Sequence, residues 1–141
     1  MIAFIVRGIP APQGSKTPYG TEDNPHTRPW RATVAEAAAR ELDGDGPLTG
    51  AVQVRVLFVF PRPKTHYGRG GNADRLRPSA PVYHTVYPDL DKLERAIGDA
   101  LSGTLLRDDK QIVSWSTFKV YGNDPRAEIV ALPLPLKKGD G

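Results

Sequence analysis

Hydrophobic and polar positions alternate or cluster in six places along the chain. Ile2-Ala-Phe-Ile-Val6 predicts a short strand. Residues 30–42 (WRATVAEAAAREL) predict a helix, because alanine and glutamate dominate and no breaker intervenes. Val34, Ala38 and Leu42 recur every fourth residue as its buried stripe. Residues 51–60 (AVQVRVLFVF) alternate and then run apolar, the pattern of a strand exposed at its start and buried at its end. Residues 90–102 carry Leu90, Leu93, Ile97, Ala100 and Leu101 at helical spacing, with Gly103 where a helix-ending glycine belongs. Residues 111–121 and 127–132 predict two strands joined at Asn123-Asp124-Pro125, which suggests a hairpin. Two long stretches rich in proline and glycine, after residue 7 and over 61–86, read as loops. The order strand, helix, strand, helix, strand, strand implies a small α/β (α+β) domain with a mixed sheet of about four strands packed against two main helices. Residues 1–132 are expected to form it, with 133–141 as a frayed tail.

Composition narrows the class. At 141 residues, the chain can bury roughly two thirds of its unfolded surface without staples. It has no cysteine, which excludes disulfide scaffolds, thiolate metal sites and cysteine nucleophiles and fits a reducing, cytoplasmic setting. No apolar run is long enough to span a membrane, and Met1–Arg7 does not read as a secretory signal. Gly and Pro number 14 each, but 39% hydrophobic residues argue for a folded chain with long loops.

Charge is placed unevenly. The net value is only +3, yet the loop at 61–82 holds Arg62, Lys64, Arg69, Arg75 and Arg77 against the single acid Asp74. Such a loop suits a phosphate backbone; a merely solvated loop is the plain alternative. Residues 89–109 do the opposite, with Asp89, Asp91, Glu94, Asp99, Asp108 and Asp109 against Lys92, Arg95 and Arg107. Carboxylates repel the phosphates a basic loop attracts, and a divalent cation bridging the two removes the conflict.

Local explanations for these acids stand beside that one. Asp91 as a helix N-cap with Glu94 three residues later has the spacing of a capping box, which leaves Asp89 unexplained. Asp108-Asp109 before a strand reads equally as a turn. Asp91, Arg95 and Asp99 share a helix face as a salt-bridge ladder, unless Arg95 faces phosphate. Gly98, in mid-helix, suggests close packing of another element, a second subunit included. His26, His66 and His84 show no metal-ligand spacing and read as exposed loop residues. The Asp89-x-Asp91 start of an EF-hand fails at Leu93 and Glu94, and Gly14-Ser15-Lys16-Thr17 lacks the glycine spacing of a Walker A loop.

Three linked blocks are more specific: Tyr87-Pro-Asp-Leu-Asp-Lys-Leu, Asp99-Ala-Leu-Ser-Gly103 and Arg107-Asp-Asp-Lys-Gln-Ile-Val113. Together they closely resemble the RusA family of Holliday junction resolvases, whose pattern is P-D-x-D-(N/K)-L, D-A-L-(T/S)-G, D-D-x-Q-(V/I). Weaker likeness covers Phe4–Gly14, and Arg62–Tyr67 through His84 is similar to phage or prophage members. The resemblance implies a small homodimeric endonuclease that nicks opposed strands of four-way DNA junctions, with Mg²⁺ as cofactor and Mn²⁺ as a substitute. By position, Asp89, Asp91 and Asp109 are the implied metal ligands. Arg95 falls where the family can carry a functional lysine, and Tyr87 where many relatives have a basic residue. Lys92 stands where members carry Asn or Lys.

The resulting expectation is metal-assisted hydrolysis of DNA. Lys16 and Arg95 would add charge stabilisation, and Arg62, Lys64, Arg69 and Lys92 would hold the backbone. A non-catalytic branched-DNA-binding module and a metal-dependent nuclease or phosphatase acting on flaps or small phosphoesters are the alternatives.

Overall fold

The computed structural model describes residues 1–14 and 24–136. Lys16 and the end of the tail lie outside these residues.

The strand at Val52–Phe60, β2, is buried through its last three residues, as suits a strand flanked by neighbours on both edges. It has them: the sheet runs β1 (Ile2–Arg7), β4 (Arg126–Pro133), β2, β3 (Ile112–Tyr121). β2 pairs parallel with β3 and antiparallel with β4, and β4 pairs antiparallel with β1. The mixed four-stranded sheet is therefore as expected, but the hairpin is not. β3 and β4 lie on opposite sides of β2, and residues 122–125 cross over its end, where the Gly122 N–H donates to the Phe60 carbonyl at 2.9 Å. Turn chemistry at Asn123-Asp124-Pro125 reports a reversal and is silent on whether another strand fits inside it. β4 pairing runs past residue 132, since the Leu134 N–H reaches the Ala51 carbonyl at 2.9 Å.

Both helices cover one sheet face. α1 (Thr27–Arg40) begins three residues earlier than the alanine-rich run, because Pro29 is tolerated in a first turn. It buries Thr27, Trp30, Val34 and Ala38. Leu42 falls beyond its end and packs only partly against the core. α2 (Leu90–Leu101) buries Leu93, Ala96, Ile97, Ala100 and Leu101 over Val54, Val56 and Phe58 of β2 and Ile129 of β4. Truncating Leu93 or Ile97 to Ala would cost about 2–5 kcal/mol, since both side chains are fully buried. Gly103 follows with positive φ, as the sequence predicts. The opposite sheet face has no helix on it, and Ile5 and Phe118 there are more than half exposed.

The segment after β1 is pinned across the helix layer. Gly8 N–H donates to the Pro125 carbonyl, Gln13 N–H to the Lys92 carbonyl, and Thr27 Oγ1 to the Pro12 carbonyl. Among the described residues, no helix is long and apolar enough to cross a membrane.

Candidate active site

α2 has two faces with different work. Leu93, Ile97 and Leu101 point into the core, whereas Asp91, Glu94, Arg95 and Gly98 follow i, i+3, i+4, i+7 along a stripe at its side. The N-cap is Asp89, not Asp91: Asp89 has an extended backbone, and its carbonyl accepts from Leu93 N–H at 3.1 Å. Its side chain makes no capping bond. Asp91 sits in the first turn, where a carboxylate also favours the positive end of the helix dipole. The peptide bond between Tyr87 and Pro88 is cis.

The acidic pair before β3 divides its labour. Asp108 caps a short 3-10 turn at Asp109–Gln111, accepting the Lys110 N–H at 2.8 Å. Gln111 closes the box by accepting from the Arg107 and Asp108 N–H groups, and its amide donates to the Leu48 and Gly50 carbonyls. Asp108 and Gln111 are thus spent on the loop, and Asp109 is turned toward α2. A Cβ placed on Gly98 would lie 3.7 Å from Asp109 Cβ and 3.7 Å from Trp115 Cζ2. Gly98 therefore admits Asp109 and Trp115 of its own chain. Burial pushes the Asp109 carboxyl above the usual carboxylate range, with Asp108 and then Asp99 reinforcing the shift. The Lys110 backbone N–H holds Asp108 below that range.

Asp91, Glu94, Arg95, Gly98, Asp109, Ile112 and Trp115 together line a depression of about 220 Å³. Arg95 takes no ion pair among the described residues, and the expected ladder with Asp99 is absent. Asp99 lies 3.8 Å from Arg31 of α1 instead. Asp89 is not among the residues lining the depression. No three acidic or histidine side chains among the described residues stand at metal-ligating separation. The donor set nevertheless suits a hard divalent cation, being all carboxylate oxygen, and a cation would favour the charged Asp109 against the desolvation and the Asp108 and Asp99 charges that disfavour it.

Pattern reading missed the contribution of β3. Its alternate residues Trp115, Thr117, Lys119 and Tyr121 pair with Val54, Val56, Phe58 and Phe60, and so share the helix-covered face. Thr117 donates its hydroxyl to Glu94, fixing that carboxylate at the depression. Lys119 Nζ donates to the Val86 and Pro88 carbonyls at 3.0 and 2.8 Å, anchoring the segment that delivers Asp89. Polar Thr and Lys in phase with aromatic residues on an inward face were the available signal.

The basic loop is ordered by its own arginines. Arg62 donates to the Pro81 carbonyl at 2.7 Å, approaches His66 Nδ1 at 3.3 Å and lies over the Tyr121 ring. Arg77 donates to the Tyr67 carbonyl at 2.8 Å. Lys64 and Arg69 remain exposed beside two 3-10 turns at Lys64–His66 and Gly70–Asn72, and Lys92 is half-buried on α2. The sequence predicts three exposed loop histidines, and the structure corrects this at one of them. His84 is buried, stacked on Phe60 at 4.1 Å, because Phe60 and Tyr121 enclose it from two strands.

Comparison with known proteins gives the family. A protein of *Bacillus subtilis* (strain 168) described as uncharacterized protein YqaN is 28% identical over 142 residues, covering 92% of this chain and 94% of that protein. The family described as Endodeoxyribonuclease RusA matches residues 9–131, which contain α2, both acidic blocks, β2, β3 and most of β4. The chain belongs to the RusA family of DNA-cutting endonucleases.

Proposed function

We propose that this protein is a Mg²⁺-dependent, homodimeric endonuclease that resolves four-way DNA junctions by paired nicks in opposed strands. One observation carries the reading. Asp91 and Asp109, from separate elements, line one small depression with Glu94 and Arg95, and neither caps the backbone that bears it.

In this reading, residues 1–132 form the nuclease domain and work on DNA in the cytoplasm. Asp91 and Asp109 would hold Mg²⁺, or Mn²⁺ in its place, with Glu94 offering a further oxygen at the same wall, and Asp89 would join them from the N-cap of α2, outside the depression. The bound ion supplies an activated water and neutralises phosphate charge. Arg95, on the next turn from Asp91, adds positive charge at the scissile phosphate. Lys119 is a positioning residue, holding the segment before Asp89 through two carbonyls. Lys16, Lys64, Arg69 and Lys92 contact the DNA backbone, and Arg62 keeps the loop in shape. The helix-free sheet face, where Ile5 and Phe118 are exposed, is the surface a second copy would cover. Two sites held at fixed separation by a two-fold axis then meet two strands of one junction.

The test is cleavage of a mobile four-way junction with Mg²⁺, beside linear duplex, by wild type and Asp91→Asn. Paired nicks on the junction alone, lost in the variant while EDTA-resistant binding persists, is the expected result. Junction binding with no cleavage of any DNA would overturn the proposal.

A further inference from the structure

Beside the carboxylates lies a second cleft that none of the roles above uses. It has a volume of about 300 Å³, and its walls include Pro10, Pro12, Asn24, Phe60, His84 and Tyr87. We propose that this cleft seats one unstacked nucleobase of the strand being cut. The inference rests on the nuclease reading, because it needs a DNA strand at Asp89 and Asp91.

Position is the first argument. Tyr87 and Pro88 line the cleft, and the next residue is Asp89. A strand whose phosphate lies at the acidic end of α2 has its neighbouring bases within reach of this wall. Lys119 ties the two places together, since it bonds the Val86 and Pro88 carbonyls on either side of Tyr87.

Chemistry is the second. Pyrrolidine rings of Pro10 and Pro12 line it with the buried Phe60, and Asn24, His84 and Tyr87 bring polar atoms to the same walls, as in a site that packs a planar ligand and reads its edge. His84 is only 6% exposed, and its Nδ1 makes no hydrogen bond of good geometry. A buried polar atom without a partner is costly, and a turn of the ring toward the cleft would let a ligand's polar edge satisfy it. Burial and then the charge of Lys119 lower the His84 pKa, with its own main chain opposing, so the ring stays neutral. A neutral imidazole offers one donor and one acceptor, which suits a base edge better than a phosphate. Asn24 donates to the Tyr87 hydroxyl at 3.2 Å, leaving the phenolic O–H as a further donor at an exposed ring. Bases beside a branch point give up less stacking than bases inside a duplex, which lowers the cost of capture.

The experiment measures junction binding in EDTA, so it does not depend on cleavage. Each nucleotide flanking the expected cut is replaced in turn by an abasic analogue. At one position the loss of the base should weaken binding about tenfold, the scale of one base–aromatic stack. Tyr87→Ala, at an exposed residue, should show the same loss on the intact junction and no further loss on the abasic one. Penalties that add instead of saturating, or no abasic penalty at any position, would overturn the cleft as a base site. Normal Mg²⁺-dependent cutting alongside that result would leave the nuclease reading standing. A saturating penalty with no cutting would do the reverse, and no junction binding at all would overturn both.

Discussion

Adding one methyl group at Gly98 tests how Asp109 meets α2. Gly98 is buried in the helix with ordinary negative φ, so alanine imposes no backbone strain. The new Cβ would lie 3.7 Å from both Asp109 Cβ and Trp115 Cζ2, and 3.9 Å from Asp109 Oδ2, all ordinary van der Waals contacts. Replacing a mid-helix glycine by alanine gains about 0.8–1 kcal/mol in helix propensity, and the contacts add without a clash. For a domain of this size, about 1 kcal/mol raises Tm by roughly 3–4 °C. Gly98→Ala should therefore unfold later than wild type by about that much, followed by circular dichroism in EDTA. The same methyl narrows the depression beside an Asp109 oxygen, so Mg²⁺ affinity should fall as stability rises. Gly98→Leu, which cannot fit without displacing Asp109, should lose cleavage. A lower Tm for Gly98→Ala, or full cleavage by Gly98→Leu, would refute the contact between Asp109 and this turn of α2.

Asp109→Asn should abolish Mg²⁺-dependent cleavage yet stabilise the metal-free protein. A carboxyl raised by folding penalises the native state above its unfolded pKa, near 3.8, and the penalty disappears once it is protonated. The variant's Tm gain should thus be present at pH 7 and vanish in acid. His84 runs with the opposite sign: its pKa is lowered by folding, so stability present at neutral pH should begin to fall as pH drops through about 6.5. His84→Phe should flatten that part of a stability-against-pH curve from urea titrations. Lys119→Met removes two hydrogen bonds from a charged donor, and should cost about 1–3 kcal/mol together with much of the cleavage rate. Truncating Lys64 or Arg69 should weaken junction binding at every sequence and reduce its salt slope by about one per residue, whereas a flat salt dependence in the wild type would sink the loop's role.

Much of this arrangement is legible in the chain because it is local. Helical spacing at Leu90, Leu93, Ile97 and Leu101 needs no partner to be read, and neither do the alternation of residues 52–58 or the glycine at 103. Strand order is not local. A turn at 123–125 looks the same whether β4 returns beside β3 or on the far side of β2, and only the buried Phe58-Val59-Phe60 end of β2 suits a neighbour on each flank. The burial of His84 was hidden for the same reason, since its enclosing rings come from β2 and β3.

The acids show where the two kinds of information meet. Spacing alone leaves every aspartate open to a structural role, and the fold separates them by what each side chain is already doing. Asp108 is consumed by the Lys110 N–H, and Asp99 by Arg31. Asp89 occupies the cap position without capping. Asp91 and Asp109 face a common depression, and Asp109 does so at an electrostatic cost. A fold that needed acids only for turns and caps has no use for Asp109 at that wall, where desolvation first and then Asp108 and Asp99 disfavour its charge. A cation bound there, with a phosphate at Arg95, which takes no ion pair among the described residues, would offset that cost.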